Sequence, residues 1–257
     1  MTASAPDGNE TEDLKHRLTE LADAVAARDT FIAVAAHELR NPMTPIIGQV
    51  DLLLAAVRAG RYSLEQVEQK LVRIQQATNQ YLKRATTLLD VSRITTGKFS
   101  VEPMPFDLVV LLREVTDAFA EAARYARSSL RLETPPTLPV TLDRLATEQI
   151  IDNLVSNAIK YGAHTPVELA AEGAAGQVRI TIRDHGCGIT EQDRSRVFQR
   201  FERLGRGEQR SGFGVGLWVV GQLVEAMNGG VAIEDAPGGG ALFRVTLPQH
   251  LEERVHE

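Results

Sequence analysis

Cysteine is nearly absent: Cys187 is the only one in 257 residues. That excludes an internal disulfide and any multi-cysteine metal site, and it suits a reducing, cytoplasmic compartment. An excess of basic residues is missing too. Lysine and arginine number 28 against 34 aspartates and glutamates, so the chain is mildly acidic and offers no nucleic-acid-binding face. No apolar run approaches the ~18 residues of a membrane span. The best candidate, Ile46–Val57, is short and contains Gln49 and Asp51. The opening residues, MTASAPDGNETED, are polar and acidic and do not read as a signal peptide. The chain therefore reads as a soluble protein with room for about two domains.

What is present begins with helical periodicity. Apolar residues fall at Leu14, Leu18, Leu21, Val25, Ile32, Ala35 and Leu39, in steps of four and three, with Arg28 breaking the seam. This is the heptad pattern of a helix that packs on helices. His37 lies two residues beyond the seam position Ala35, which puts it on the outward side of a rigid helix. A lone histidine there is most often an ordinary surface or core residue, and its neighbours must decide. Pro42 and Pro45 predict a bend rather than a stop. Residues Ala59–Ser63 read as a turn with Ser63 as N-cap. A second helix follows with Leu64, Val67, Leu71, Ile74, Thr78, Tyr81, Ala85 and Leu88 on one stripe. Two such helices make an antiparallel hairpin, and pairing with a second copy into a four-helix bundle completes its narrow core.

After Thr95-Thr96-Gly97 the composition changes. Prolines at 103, 105, 135, 136 and 139 separate short β-rich runs. Strands are expected near Phe99–Val101, Ser129–Glu133, Val140–Leu142, Val167–Ala171, Val178–Asp184, Val231–Glu234 and Ala241–Thr246. Helices are expected near Leu108–Tyr125, Arg144–Tyr161 and Val215–Met227. The fold class is thus α followed by α/β: a dimerising helical hairpin, then a sandwich with one sheet face covered by helices. The expected boundaries are a disordered stretch 1–11, the helical part 12–97, the α/β domain 98–248 and a tail 249–257.

Three stretches of the α/β part carry chemistry. On the helix at 144–161, Asn153, Asn157 and Lys160 fall within about 60° of one another. Ile151, Leu154, Val155 and Ala158 bury the opposite side. Such a stripe can be plain solvated surface; its functional reading is a carboxamide oxygen on Mg²⁺ with an amide and an amine on phosphate. Next, a β-rich run ends at Asp184, followed by Gly186 and Gly188, where the backbone can approach a ligand. Its carboxylate could accept from the exocyclic amine of adenine; the alternative is an ordinary strand-end turn. Third, Gly212, Gly214 and Gly216 alternate straight into a helix, exposing amides suited to phosphate. The dinucleotide-binding pattern does not fit, since its glycine spacing differs and it follows a strand.

Taken in order, these pieces resemble the sensor histidine kinases of two-component signalling, with a HisKA-type dimerisation domain and a GHKL-type, Bergerat-fold ATP-binding domain. Phe31 and His37-Glu38-Leu39-Arg40-Asn41-Pro42 match the H box. Asp152 to Tyr161 match the N box. Asp184-x-Gly186-x-Gly188 matches the G1 box, Phe198-Gln199-Arg200-Phe201 the F box, and Gly212-x-Gly214-x-Gly216-Leu217 the G2 box. The resemblance spans about residues 12 to 248.

The resemblance implies roles. His37 is the phosphoacceptor, Glu38 its base, and Asn41 a residue that can position water for dephosphorylating a partner. Asn157 is implied as the Mg²⁺ ligand, with Asn153 and Lys160 on phosphate, Tyr161 beside the adenine and Asp184 on its amine. Gly186, Gly188, Gly212, Gly214, Gly216 and Leu217 line the nucleotide, and residues 189–213 form a lid anchored by Phe198 and Phe201. ATP and Mg²⁺ are the implied cofactors. A response regulator's receiver domain and a second copy of the chain are the implied partners, along with an upstream sensor or sensor domain. Another GHKL ATPase or a non-catalytic dimeric scaffold are the competing readings; only the kinase requires an outward His-Glu on a heptad hairpin.

Overall fold

A computed structural model describes residues 8–96, 99–162, 164–202, 214–236 and 238–252. The chain divides into two compact units, Met1–Leu88 and Leu89–Glu257.

The first unit holds α1 (Gly8–Arg58) and most of α2 (Leu64–Thr95). α1 begins inside the stretch expected to lack structure, and it continues through Pro42 and Pro45 without a stop. Its end is closed by two hydrogen bonds, Gly60 N–H to the Val57 carbonyl and Arg61 N–H to the Ala56 carbonyl, both 3.0 Å. This crossed pair satisfies carbonyls that the last helical turn leaves open. Ser63 then starts α2 as expected. Its hydroxyl accepts from Gln66 N–H at 3.3 Å while the Gln66 side chain accepts from Ser63 N–H at 3.0 Å, a reciprocal capping box. Within one chain, Leu18, Val25 and Ile32 on α1 and Leu71, Val72 and Leu82 on α2 are exposed.

The second unit is built on a five-stranded mixed sheet in the order β2 (Leu130–Glu133), β4 (Val167–Ala174), β5 (Gln177–Arg183), β7 (Ala241–Pro248), β6 (Gly230–Asp235). β2 runs parallel to β4, and the remaining pairs are antiparallel. A separate two-stranded sheet joins β1 (Met104–Asp107) to β3 (Pro139–Leu142). α3 (Leu108–Tyr125), α4 (Arg144–Tyr161) and α6 (Gly216–Ala226) pack against the large sheet and one another. Alternation decides which face they cover. Val167 and Leu169, Val178, Ile180 and Ile182, and Phe243, Val245 and Leu247 are buried. Their neighbours Arg179, Arg183 and Arg244 point to the other face and form cross-strand ion pairs with Glu172, Glu168 and Glu234 respectively.

The strand expected at Phe99–Val101 is not one. The Glu102 N–H is committed to the Asp143 carboxylate at 3.1 Å, and pairing with β3 starts only at Met104. Pro105 is tolerated because this two-stranded sheet leaves it an edge. Sequence periodicity also gave no sign of α5 (Glu191–Arg194) or the 3-10 turn Arg196–Phe198, which are too short to show a period. Beyond β7 the chain stays fastened: Thr141 N–H donates to Gln249 and Leu251 N–H to Thr141, at 2.9 and 2.8 Å.

Candidate functional site

The site is assembled from four chain segments of the second unit. α4 is started by Asp143, whose carboxylate accepts from Ala146 N–H at 2.9 Å. Ile150, Ile151, Leu154 and Val155 are fully buried, and this fixes the roll of the helix. The opposite stripe therefore presents Asn153 and Asn157, both half-buried, and exposed Lys160. The Lys160 ammonium sits 4.9 Å over the Tyr161 ring. Asn153 is locked by its own helix, its Nδ2 donating to the Gln149 carbonyl at 2.9 Å.

That bond aims the Asn153 oxygen at the start of α6. A Cβ on Gly216 would lie 2.9 Å from Asn153 Oδ1, so only glycine lets the two elements approach without displacing the amide. Among the described residues no side chain caps α6, whose N-cap residue is Val215. The first-turn N–H groups of such a helix suit an anion, with the helix dipole favouring negative charge.

Asp184 closes the other side. It is 5% exposed, and a carboxylate so buried needs donors. Its Oδ1 accepts from Gly186 N–H at 2.8 Å and from Ala241 N–H at 3.3 Å. Gly186 lies on the Tyr161 carbonyl, and Gly162 touches the Asp184 Cβ, so the end of α4 is pressed onto the Asp184 turn. Gly240 meets the same turn from the far side: a side chain there would run into the Asp184 carbonyl, and its φ of 92° is left-handed. Gly188 rests on the Gly240 carbonyl.

Phe198 is half-buried and packs on α6 at Gly221. Phe201 adopts a left-handed φ of 67°, and its N–H donates to the Gly214 carbonyl at 2.9 Å. Leu217 is half-buried in the first turn of α6. Gly212 and residues 203–213 of the expected lid lie outside the described residues. In the first unit, His37, Glu38 and Asn41 belong to α1. Asn41 is exposed, whereas the outward direction expected of the His37 side chain falls outside the described side chains.

The structure thus gathers Asn153, Tyr161, Asp184, Gly186, Gly188 and Gly216 around one locus. Gly240 and Ala241 belong to it and were missed by the sequence reading. The run Gly238-Gly239-Gly240, unusual directly before a strand, is the signal that could have found them. Arg200 belongs to the F box, and the resemblance implies no role for it. Its guanidinium lies 5.0 Å from the Phe201 ring centroid and 5.5 Å from that of Trp218, and burial pushes its pKa below the ordinary arginine value.

The surroundings fit a nucleotide with a divalent cation. Among the described residues no three His, Cys, Asp or Glu side chains cluster to hold a metal. A hard cation at Asn157 would have one protein oxygen there and would draw its other ligands from phosphate and water. Mg²⁺ tolerates such a sphere, since it keeps several waters and binds through phosphates.

Comparison with known proteins agrees with this geometry. Residues 142–251 match the family described as histidine kinase-, DNA gyrase B- and HSP90-like ATPase, and residues 27–97 match the His Kinase A (phospho-acceptor) domain. Sensor protein EvgS of Escherichia coli O157:H7 is 29% identical over 97% of this chain and 21% of its own length. Sensor histidine kinase TmoS of Ectopseudomonas mendocina is 34% identical over 96% of this chain and 25% of its own. The chain therefore spans a quarter or less of these two relatives. The solved catalytic domain of histidine kinase ThkA is 28% identical, with a TM-score of 0.54, covering 60% of this chain and 99% of that one.

Proposed function

We propose that this chain, which belongs to the sensor histidine kinases of two-component signalling, uses ATP to phosphorylate its own His37 and then passes the phosphoryl group to an aspartate of a response regulator. The observation that carries the nucleotide half is the buried Asp184 carboxylate, fixed by two backbone N–H groups beside the uncapped start of α6. Both of those bonds fall on Oδ1, and Oδ2 has no hydrogen bond among the described residues. That oxygen is suited to accept from the exocyclic amine of adenine, with Tyr161 beside the ring. The phosphates then extend toward α6, where Asn153, Lys160 and the first-turn amides meet them. Asn157 holds Mg²⁺, which when bound neutralises phosphate charge.

A ring nitrogen of neutral His37 attacks the γ-phosphorus, a nitrogen–phosphorus bond forms, and the bond to the β–γ bridging oxygen breaks to release ADP. Glu38 accepts the proton of the other ring nitrogen, so the phosphorylated ring carries no added positive charge. In the second step an aspartate oxygen of the regulator attacks the same phosphorus. The nitrogen–phosphorus bond breaks, and the proton held by Glu38 returns to the ring.

Asn41 lies one helical turn after His37 on the same face, placed to orient water against a phosphorylated regulator. The exposed apolar seams of α1 and α2 support a homodimer through residues 12–95, completed as a four-helix bundle. No helix among the described residues is long and apolar enough to cross a membrane. The lone cysteine suits the cytoplasm as the working compartment. Incubation with ATP labelled in its γ-phosphoryl group tests the reading. Label on the protein that is lost in acid and kept in alkali supports it; no label, or acid-stable label, overturns it.

A further inference from the structure

The resemblance gives Arg200 no task, yet its guanidinium lies within 5.0 Å of one aromatic ring and 5.5 Å of another. Arg200 is half-buried, so its cation is partly withdrawn from water, and attraction to an aromatic face is strongest under such desolvation. The two rings belong to different elements. Phe201 follows the 3-10 turn and is tied to Gly214 by its N–H. Trp218 is in the first turn of α6, two residues after the Gly216 that bears on Asn153. Around Gly214, with φ at 64°, a side chain would strike the Glu202 carbonyl at 2.8 Å, so Phe201–Glu202 and the entry to α6 are already in contact. Arg200 adds the lateral tie.

We propose that Arg200 is a positioning residue for nucleotide binding, holding through Trp218 the first turn of α6 in place against Asn153. This rests on the reading that the phosphates bind at that turn. A planar guanidinium can lie along two rings at once, which an ammonium point charge does not do, so arginine is required rather than positive charge alone. Trp218 is the chain's only tryptophan, and its emission therefore reports this contact directly.

The test uses the full chain and ADP as probe, with equilibrium binding, Trp218 emission and thermal melting read together. Arg200→Met retains the apolar stem and removes the cation. It is expected to shift the emission and weaken ADP about tenfold, with Arg200→Lys recovering only part of the loss. Trp218→Leu is expected to weaken ADP by a similar factor, and Trp218→Phe by less because a ring remains. The double variant Arg200→Met/Trp218→Leu should bind no worse than either single one, since both remove the same contact. Affinity within twofold of wild type in both single variants overturns the inference, as does a loss in the double variant equal to the product of the two. Failure of the wild-type chain to bind ADP would overturn the pocket itself, and the inference with it. Normal wild-type binding with unaffected variants overturns the inference alone. If Arg200→Met folds poorly, the comparison of Trp218→Phe with Trp218→Leu decides in its place.

Discussion

The amide oxygen of Asn153 stands 2.9 Å from where a side chain on Gly216 would begin, so the middle of α4 and the start of α6 hold each other in register. The atom in the way is the end of a side chain, not backbone. Gly216→Ala should therefore leave the fold standing, because alanine also suits a helix better than glycine by up to about 1 kcal/mol. The displaced Asn153 amide should weaken ADP binding about tenfold, the scale of one lost hydrogen bond to a charged group. A melting curve beside an ADP titration checks this; unchanged affinity would remove Asn153 from the phosphate site.

Asp184→Asn separates holding from recognition. The asparagine oxygen can still accept from Gly186 and Ala241, so melting should shift by only a few degrees. Its NH₂ then faces the adenine amine as donor against donor, and adenine nucleotides should bind at least about tenfold more weakly. Comparable weakening for a guanine nucleotide would show that Asp184 does not read the base.

Asp107 offers a stability change that should spare function. Its Oδ1 accepts from both Val109 and Leu138 N–H at 2.9 Å, capping α3 and joining it to the segment before β3. Asp107→Ala should cost about 1–2 kcal/mol in urea unfolding. ADP affinity in the folded protein should be unchanged, and a parallel loss of binding would mean that this cap shapes the site as well.

Much of this was legible in the sequence, and the reason differs by element. α3 and α4 were placed correctly because each is a long amphipathic run started by an aspartate cap. Strands β4, β5 and β7 were found because one face is buried and alternation shows it. The β1 region was misplaced because a short edge strand beside prolines has no such signature, and its register is fixed by β3, more than thirty residues away. Asp184 and the glycines after it stand out in a motif. What the motif hides is that Ala241 donates to the same carboxylate, since a contact across 57 residues leaves no local pattern. The contact of Arg200 with Trp218 was invisible for the same reason.

Cys187 is exposed between Gly186 and Gly188. Its turn is held by Tyr161 and Gly240 beside the buried Asp184. Saturating ADP should slow modification by a bulky thiol reagent several-fold, and the modified protein should bind ADP poorly. With one thiol in the chain, intact mass reads the outcome. Equal rates with and without nucleotide would place the thiol clear of the ligand.

In the proposed reaction, phosphate from ATP held in the α4–α6 pocket ends on His37. The most direct measurement compares wild type with His37→Gln, each given γ-labelled ATP, while ADP binding is measured on the same samples. Acid-labile, alkali-stable label is expected on the wild type, none on the variant, and equal ADP affinity for both. Acid-labile label persisting on His37→Gln would contradict that reaction.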